Sequence, residues 1–322
     1  MKYIDLKDTK VSRIAIGSNR LFRNEESVNA VHSALDNGVN FINCADFYNS
    51  GEGELAVGEA LKGRRREDVF ISVKFGGLMT LGRPGMTGVD VSPEHVENYL
   101  VYSLRRLGTD YVDLYQPSRI NPHIPVEETI GAISRLVEKG FVRHIGITQV
   151  DGETLRRANA EHPISMVELN YNLMDRTFED TTMATARELG IPISAFGVLL
   201  SGLIGGSNKE QMMQTMKFMA TKDTFENIQG NLALADQLQA LADEKGCTLA
   251  QLAIAWVLAQ DNDIQALVGS RKVSQVESTI QALDVTLTAV DLERIEAIVP
   301  KEQARSQYMR DLSMNEKGLF TF

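Results

Sequence analysis

Residues 69–75 read Val69-Phe70-Ile71-Ser72-Val73-Lys74-Phe75, a short run of β-formers carrying a single charge near its end. A run of this length without polar alternation is the pattern of a strand buried on both faces, as in a parallel sheet. Working outward, similar runs recur along the chain, separated by longer stretches of helical periodicity. The spacing predicts strands at Arg13–Gly17, Asn40–Cys44, Val69–Phe75, Tyr111–Gln116, Arg143–Thr148, Met166–Asn170, Ile193–Phe196 and Gln265–Gly269. Helices are expected over Glu25–Asn37, Gly53–Leu61, Pro93–Leu107, Val126–Lys139, Glu153–Ala160, Phe178–Leu189 and Leu249–Gln260. Ser92-Pro93-Glu94 offers one of them a serine N-cap.

Eight strands with helical crossovers point to an α/β fold, the closed (β/α)8 TIM barrel. The 322 residues suffice for one, since such barrels take roughly 250. No composition break marks a second domain, so 1–322 is read as a single barrel domain. Tyr3–Leu6 is expected as a hairpin strand plugging the barrel floor, Asn208–Gly230 as a lid-like insertion, Leu287–Val299 as an extra helix and 301–322 as a tail. The competing doubly wound sheet needs a glycine fingerprint after its first strand, and Gly17-Ser18-Asn19-Arg20 does not match it.

The formal charge of −10 and pI near 5.1 oppose nucleic acid or an anionic membrane as partner. Cys44 and Cys247 lie far apart and without ligand spacing, so no disulfide framework and no metal site are expected, which fits a reducing cytoplasm. The opening MKYIDLKDTK lacks the apolar core of a signal peptide. The uncharged stretch Ile191–Asn208 contains Pro192, Gly197, Gly202, Gly205 and Gly206, and reads as a strand entering a loop, not as a membrane span.

Barrels of this kind carry their chemistry at the carboxyl ends of the strands. Those positions hold Gly17-Ser18-Asn19, Asn43 with Asp46 and Tyr48, Lys74, Gln116 and Ser118, Thr148 and Gln149, Glu168 and Asn170, Phe196, and Gly269-Ser270-Arg271. A lysine aimed into a barrel mouth costs desolvation energy unless a partner or ligand uses its charge.

This ring resembles that of the aldo-keto reductases. Phe41-Ile42-Asn43-Cys44-Ala45-Asp46-Phe47-Tyr48, followed by Gly51–Gly58 with Glu54, is similar to the family's second-strand signature, and Ile71–Gly76 to its lysine strand. Tyr111–Tyr115, His144–Thr148, Ala195–Leu199 and Val268–Arg271 fall at the later landmarks in order, and the likeness runs to about Val299. It implies hydride transfer from a reduced nicotinamide to a small-molecule carbonyl, with Tyr48 donating the proton. A free phenol has a pKa of about 10, so the Lys74 ammonium would ease that transfer near neutral pH.

Two positions depart from the family's Asp-Tyr-Lys-His tetrad. Asn43 stands where the aspartate belongs, and Ser118 where the histidine belongs. Asn43 can accept a hydrogen bond from Lys74 but cannot neutralise it. A charged Lys74 would acidify Tyr48, whereas a Lys74 deprotonated by desolvation would give no help. Asp46 and His123 are candidates to replace the lost groups. The same departures, with Pro117–Glu127 and Met166–Tyr171, resemble the pyridoxal reductase branch, which implies small aromatic aldehydes.

By family position Phe196 would stack on the nicotinamide, with Gly197 and Leu199 beside it, while Thr148, Gln149 and Glu168 hold the carboxamide. Gly202, Leu203 and Gly206 would line the pyrophosphate. Gly269, Ser270, Arg271, Gln275, Ser278 and Thr279 fit the adenosine-phosphate site, where the Arg271 fork favours NADPH/NADP+ over NAD. A catalytically weakened NADPH-binding regulatory protein and a reductase of C=C bonds are alternatives on these residues.

Overall fold

The structure, a computed structural model, describes residues 1–83, 85–202, 204, 222–302, 304 and 313–321. The strands are β1 (Tyr3–Leu6), β2 (Thr9–Ser12), β3 (Ile14–Gly17), β4 (Phe41–Ala45), β5 (Phe70–Phe75), β6 (Gly77–Met79), β7 (Met86–Val89), β8 (Val112–Pro117), β9 (Val142–Thr148), β10 (Ile164–Asn170), β11 (Ile193–Phe196), β12 (Ile264–Gly269), β13 (Ser313–Met314) and β14 (Phe320–Thr321). Eight of them close a parallel barrel in the order β3-β4-β5-β8-β9-β10-β11-β12, with β12 pairing back onto β3. This is the (β/α)8 fold expected from the alternation. Each anticipated strand lies within two residues of its place.

The floor is closed by the antiparallel β1–β2 hairpin. Its Ile4, Leu6 and Val11 meet Ala15, Phe41, Phe70, Leu114, Met166 and Leu267 from the barrel strands in one buried cluster. Phe41 and Phe70 stack there at 4.9 Å between ring centroids. Each large side chain buried in this way stabilises by about 1.5–3 kcal/mol, so the floor is firm and the upper layers are free to be polar. A second, larger apolar cluster fills the space between strands and helices.

The helices start where local chemistry allows. Asn24 and Asp151 cap Glu25–Asp36 and Gly152–Glu161 through their side chains, and Thr248 and Thr288 form capping boxes on Leu249–Ala259 and Ala289–Ile298. Ser92 does not cap the helix expected from Pro93. Asp90 takes its hydroxyl at 2.5 Å and its amide at 3.1 Å, and the helix begins only at Val96. The helix expected over Phe178–Leu189 is a π turn, Glu179–Met183, running into Ala184–Glu188. Of the insertion at Asn208–Gly230, the end belongs to a helix over Lys222–Glu244, and the rest lies outside the described residues. The tail folds back as the β13–β14 hairpin, and Val89 N donates to Gly318 O at 2.7 Å. Gly318 has φ +72, and a Cβ there would sit 2.0 Å from Val89 O, so only glycine permits the contact. Among the described residues no helix is long and apolar enough to cross a membrane.

Candidate active site

Alternation along the strands turns every second side chain into the barrel. Above the apolar floor this gives a buried polar layer of Asn43 from β4, Ser72 and Lys74 from β5, Gln116 from β8 and Glu168 from β10. Lys74 Nζ donates to Asn43 Oδ1 at 2.5 Å and to Glu168 Oε1 at 2.7 Å. The other carboxylate oxygen, Glu168 Oε2, accepts from Asn43 Nδ2 at 2.8 Å and Gln116 Nε2 at 2.7 Å. The resemblance places Glu168 on the nicotinamide carboxamide. Its carboxylate is instead committed to Lys74, Asn43 and Gln116 and is only 2% exposed. Lys74 therefore has a full counter-charge, contributed by β10 and not by the family's aspartate position on β4.

Burial is the largest single influence on Lys74 and favours its neutral form. The Glu168 charge, Tyr48 and the hydrogen bonds to both outweigh it, so the pKa of Lys74 is raised and the side chain is an ammonium. Its Nζ lies 5.2 Å from the Tyr48 ring centroid. Tyr48 follows β4 in a tight 3-10 turn, Tyr48–Gly51, in which Asn49 and Ser50 take left-handed φ values of +49 and +56. Asn49 Nδ2 anchors the turn on Asn19 O at 2.8 Å, and the Phe47 ring meets Tyr48 edge-on at 4.9 Å.

The other candidates separate. The Asp46 amide donates to Lys74 O at 3.0 Å, but its carboxylate turns to Gly76, Oδ2 accepting from Gly76 N at 3.0 Å, and burial pushes its pKa up to about 7. His123 faces Met314 O at 3.1 Å on the exposed C-terminal hairpin. Ser118 is buried, and among the described residues its hydroxyl meets only the Met86 sulfur, at 3.9 Å. Arg66 pairs with the buried Asp113 at 2.6 Å.

On the cofactor side, Thr148 Oγ1 and Ser270 Oγ are buried without hydrogen-bond partners among the described residues. Polar atoms of this kind at the mouth suit a polar ligand, and so a nicotinamide dinucleotide. Gln149 adopts φ +53, and its Oε1 accepts from Asn170 N at 2.6 Å. Phe196, at the end of β11, is partly buried above the inner cluster. Gly197 (φ +69) leaves no space for a Cβ, which would fall 2.2 Å from Asn170 Oδ1, while Gly202 (φ +99) is open. Leu199 is half-buried; Leu203 and Gly206 lie outside the described residues. Beyond Gly269, Arg271 and Gln275 are exposed beside the start of the helix Val273–Gln281, and Arg271 N donates to Gln275 Oε1 at 3.1 Å. Ser278 meets Gln251, whose Nε2 donates to its carbonyl at 3.1 Å and its hydroxyl at 3.4 Å, and Thr279 is buried.

Fold and rim together define a barrel with its polar chemistry gathered at the C-terminal mouth, the layout of a (β/α)8 enzyme. Residues 13–300 match the family described as "Aldo/keto reductase family". The chain is 35% identical over 284 residues to Probable aldo-keto reductase 1 of Glycine max, covering 88% of this chain and 82% of that protein. A glycerol dehydrogenase from Gluconobacter oxydans superposes with TM-score 0.80 at 25% identity, covering 97% of this chain and 99% of that one. The holo form of an aldo-keto reductase from Bacillus halodurans gives 0.76 at 26% identity, with 95% and 99% covered. The chain belongs to the aldo/keto reductase family. It is thus an oxidoreductase of a family that acts on small carbonyl compounds with nicotinamide cofactors.

Proposed function

We propose that the protein reduces aldehydes or ketones to alcohols with NADPH in the cytoplasm, using Tyr48 as the proton donor. The observation that carries this reading is the buried Lys74 ammonium, held by Asn43 and Glu168 and 5.2 Å from the Tyr48 ring centroid. Bound NADPH would supply the hydride to the carbonyl carbon. The carbonyl oxygen takes its proton from the Tyr48 hydroxyl, and Lys74 stabilises the negative charge left on the phenol oxygen. Glu168 keeps Lys74 protonated in a site that excludes water. Ser118, smaller than a histidine, leaves volume that suits an aromatic aldehyde such as pyridoxal.

For the cofactor, Phe196 would stack on the nicotinamide, Thr148 and Gln149 would hold its carboxamide, and Gly197, Leu199 and Gly202 would border the diphosphate. Gly269, Ser270, Arg271 and Gln275 would receive the adenosine phosphate, with Ser278 and Thr279 supporting from behind. The test is NADPH oxidation over a panel of aldehydes and ketones, repeated with Tyr48→Phe. Turnover that falls roughly 100- to 10,000-fold in the variant is expected. Tight NADPH binding with no turnover of any carbonyl would refute the reading in favour of a regulatory protein. Turnover indifferent to Tyr48→Phe would remove Tyr48 from the acid role.

A further inference from the structure

Arg119, directly after Ser118 at the end of β8, is a cation at the barrel mouth that the roles assigned above do not use. Its guanidinium carbon lies 5.8 Å from the Phe196 ring centroid, and Nη1 donates to Ser118 O at 2.7 Å. A guanidinium has five N–H donors in a planar fork, and one bond to a neighbouring carbonyl leaves most of that capacity unspent. Among the described residues it has no carboxylate partner in ion-pair contact. The charge on Lys74 is already balanced by Glu168, so Arg119 brings net positive charge to this part of the mouth. Burial opposes that charge, and the Glu168 carboxylate and Tyr48 only partly compensate. A side chain held at such a cost has a use when an anion is bound.

We propose that Arg119 binds an acidic group of the substrate, so that the preferred carbonyl compounds carry a carboxylate or phosphate. The inference rests on the reductase reading above. Topology sets Arg119 apart from the cofactor's adenosine phosphate. In the closed order β12-β3-β4-β5-β8, the strand that leads into Arg119 stands four places from the strand that leads into Ser270 and Arg271, across the barrel. Arg119 instead adjoins Phe196 and feels the field of Tyr48, the two side chains between which the reacting carbonyl would lie.

The experiment compares kcat/KM for acid and neutral partners under NADPH: 4-carboxybenzaldehyde against methyl 4-formylbenzoate, and glyceraldehyde 3-phosphate against glyceraldehyde. The wild type should favour the acidic member of at least one pair by roughly 10- to 100-fold, the worth of a charge-assisted contact. The pair showing the preference tells carboxylate from phosphate. Arg119→Met should bring that ratio close to one, mostly through KM, and Arg119→Lys should keep part of it. A readout that needs no variant is inhibition of the wild type, where benzoate should compete with aldehyde far better than benzamide does. A ratio near one for both pairs in the wild type, or one that survives in Arg119→Met, overturns the assignment and leaves the reductase reading intact. No turnover of either member of either pair overturns the assignment too, and the reductase reading falls with it when the wider panel of aldehydes and ketones is also inert.

Discussion

Changing Glu168 to glutamine replaces one atom and removes the charge that balances Lys74. In the native chain this carboxylate, 2% exposed, accepts bonds from Lys74 at 2.7 Å, Asn43 at 2.8 Å and Gln116 at 2.7 Å. A glutamine amide accepts on one side only. Its NH2 group must face either the ammonium or the two amide donors. Removing one member of a buried pair costs about 3–5 kcal/mol, so the unfolding free energy at neutral pH should fall by that amount. The pH dependence identifies the cause. In the wild type the folded pKa of Lys74 is raised, so its stabilisation is fully present below the unfolded value of about 10.4 and is lost only as pH climbs through the folded value. In the variant, burial acts without its main opponent and drops the folded pKa below the unfolded one. The penalty then shrinks as pH rises toward about 10.4. Urea unfolding from pH 7 to 10 should therefore show the two proteins converging. A neutral Lys74 also withdraws its help from Tyr48, and kcat at pH 7 should drop by roughly 100-fold or more. Stability within about 1 kcal/mol of wild type at pH 7, with parallel pH curves, would refute the counter-charge role.

Arg271→Ala should raise KM for NADPH by roughly 10- to 100-fold and that for NADH much less, because only NADPH presents a 2′-phosphate to the fork; steady-state kinetics with both cofactors check this. Asp46, held up at about 7 by burial, binds its proton more tightly in the folded chain than unfolded, so it lowers stability as pH rises from about 4 to about 7. Asp46→Asn should remove that slope, matching wild type at acid pH and exceeding it above neutrality in urea titrations. Parallel curves would sink the argument.

The parts of the protein legible in the sequence are those written locally. The eight apolar runs with helical spacing define the barrel, and the short motifs holding Tyr48 and Lys74 mark the mouth. The misreadings share a cause, which is a tertiary partner invisible to a window of residues. Ser92 looks like an N-cap until Asp90 claims it, and 301–322 looks like a tail until Gly318 docks on Val89. Glu168 is the most consequential case. Its position in the chain suggests a contact with the cofactor, and nothing near it in sequence mentions a lysine 94 residues away.

Barrel closure explains how a counter-charge can sit on a strand so far from the expected one. In the order β4-β3-β12-β11-β10, Asn43 and Glu168 project from strands four places apart, on opposite sides of an eight-stranded ring, yet their side chains meet at 2.8 Å. In so narrow a cylinder the inward side chains of one layer meet near the axis. Lys74 therefore requires an anion somewhere in its layer, and β10 supplies it as well as β4 could. The amide at 43 then becomes necessary. Two carboxylates in that layer would stand at the 2.8 Å where Asn43 now donates to Glu168, and like charges at that separation cannot both ionise. Asparagine at 43 and glutamate at 168 are two halves of one solution, so Asn43→Asp alone should disrupt the cluster it appears to restore.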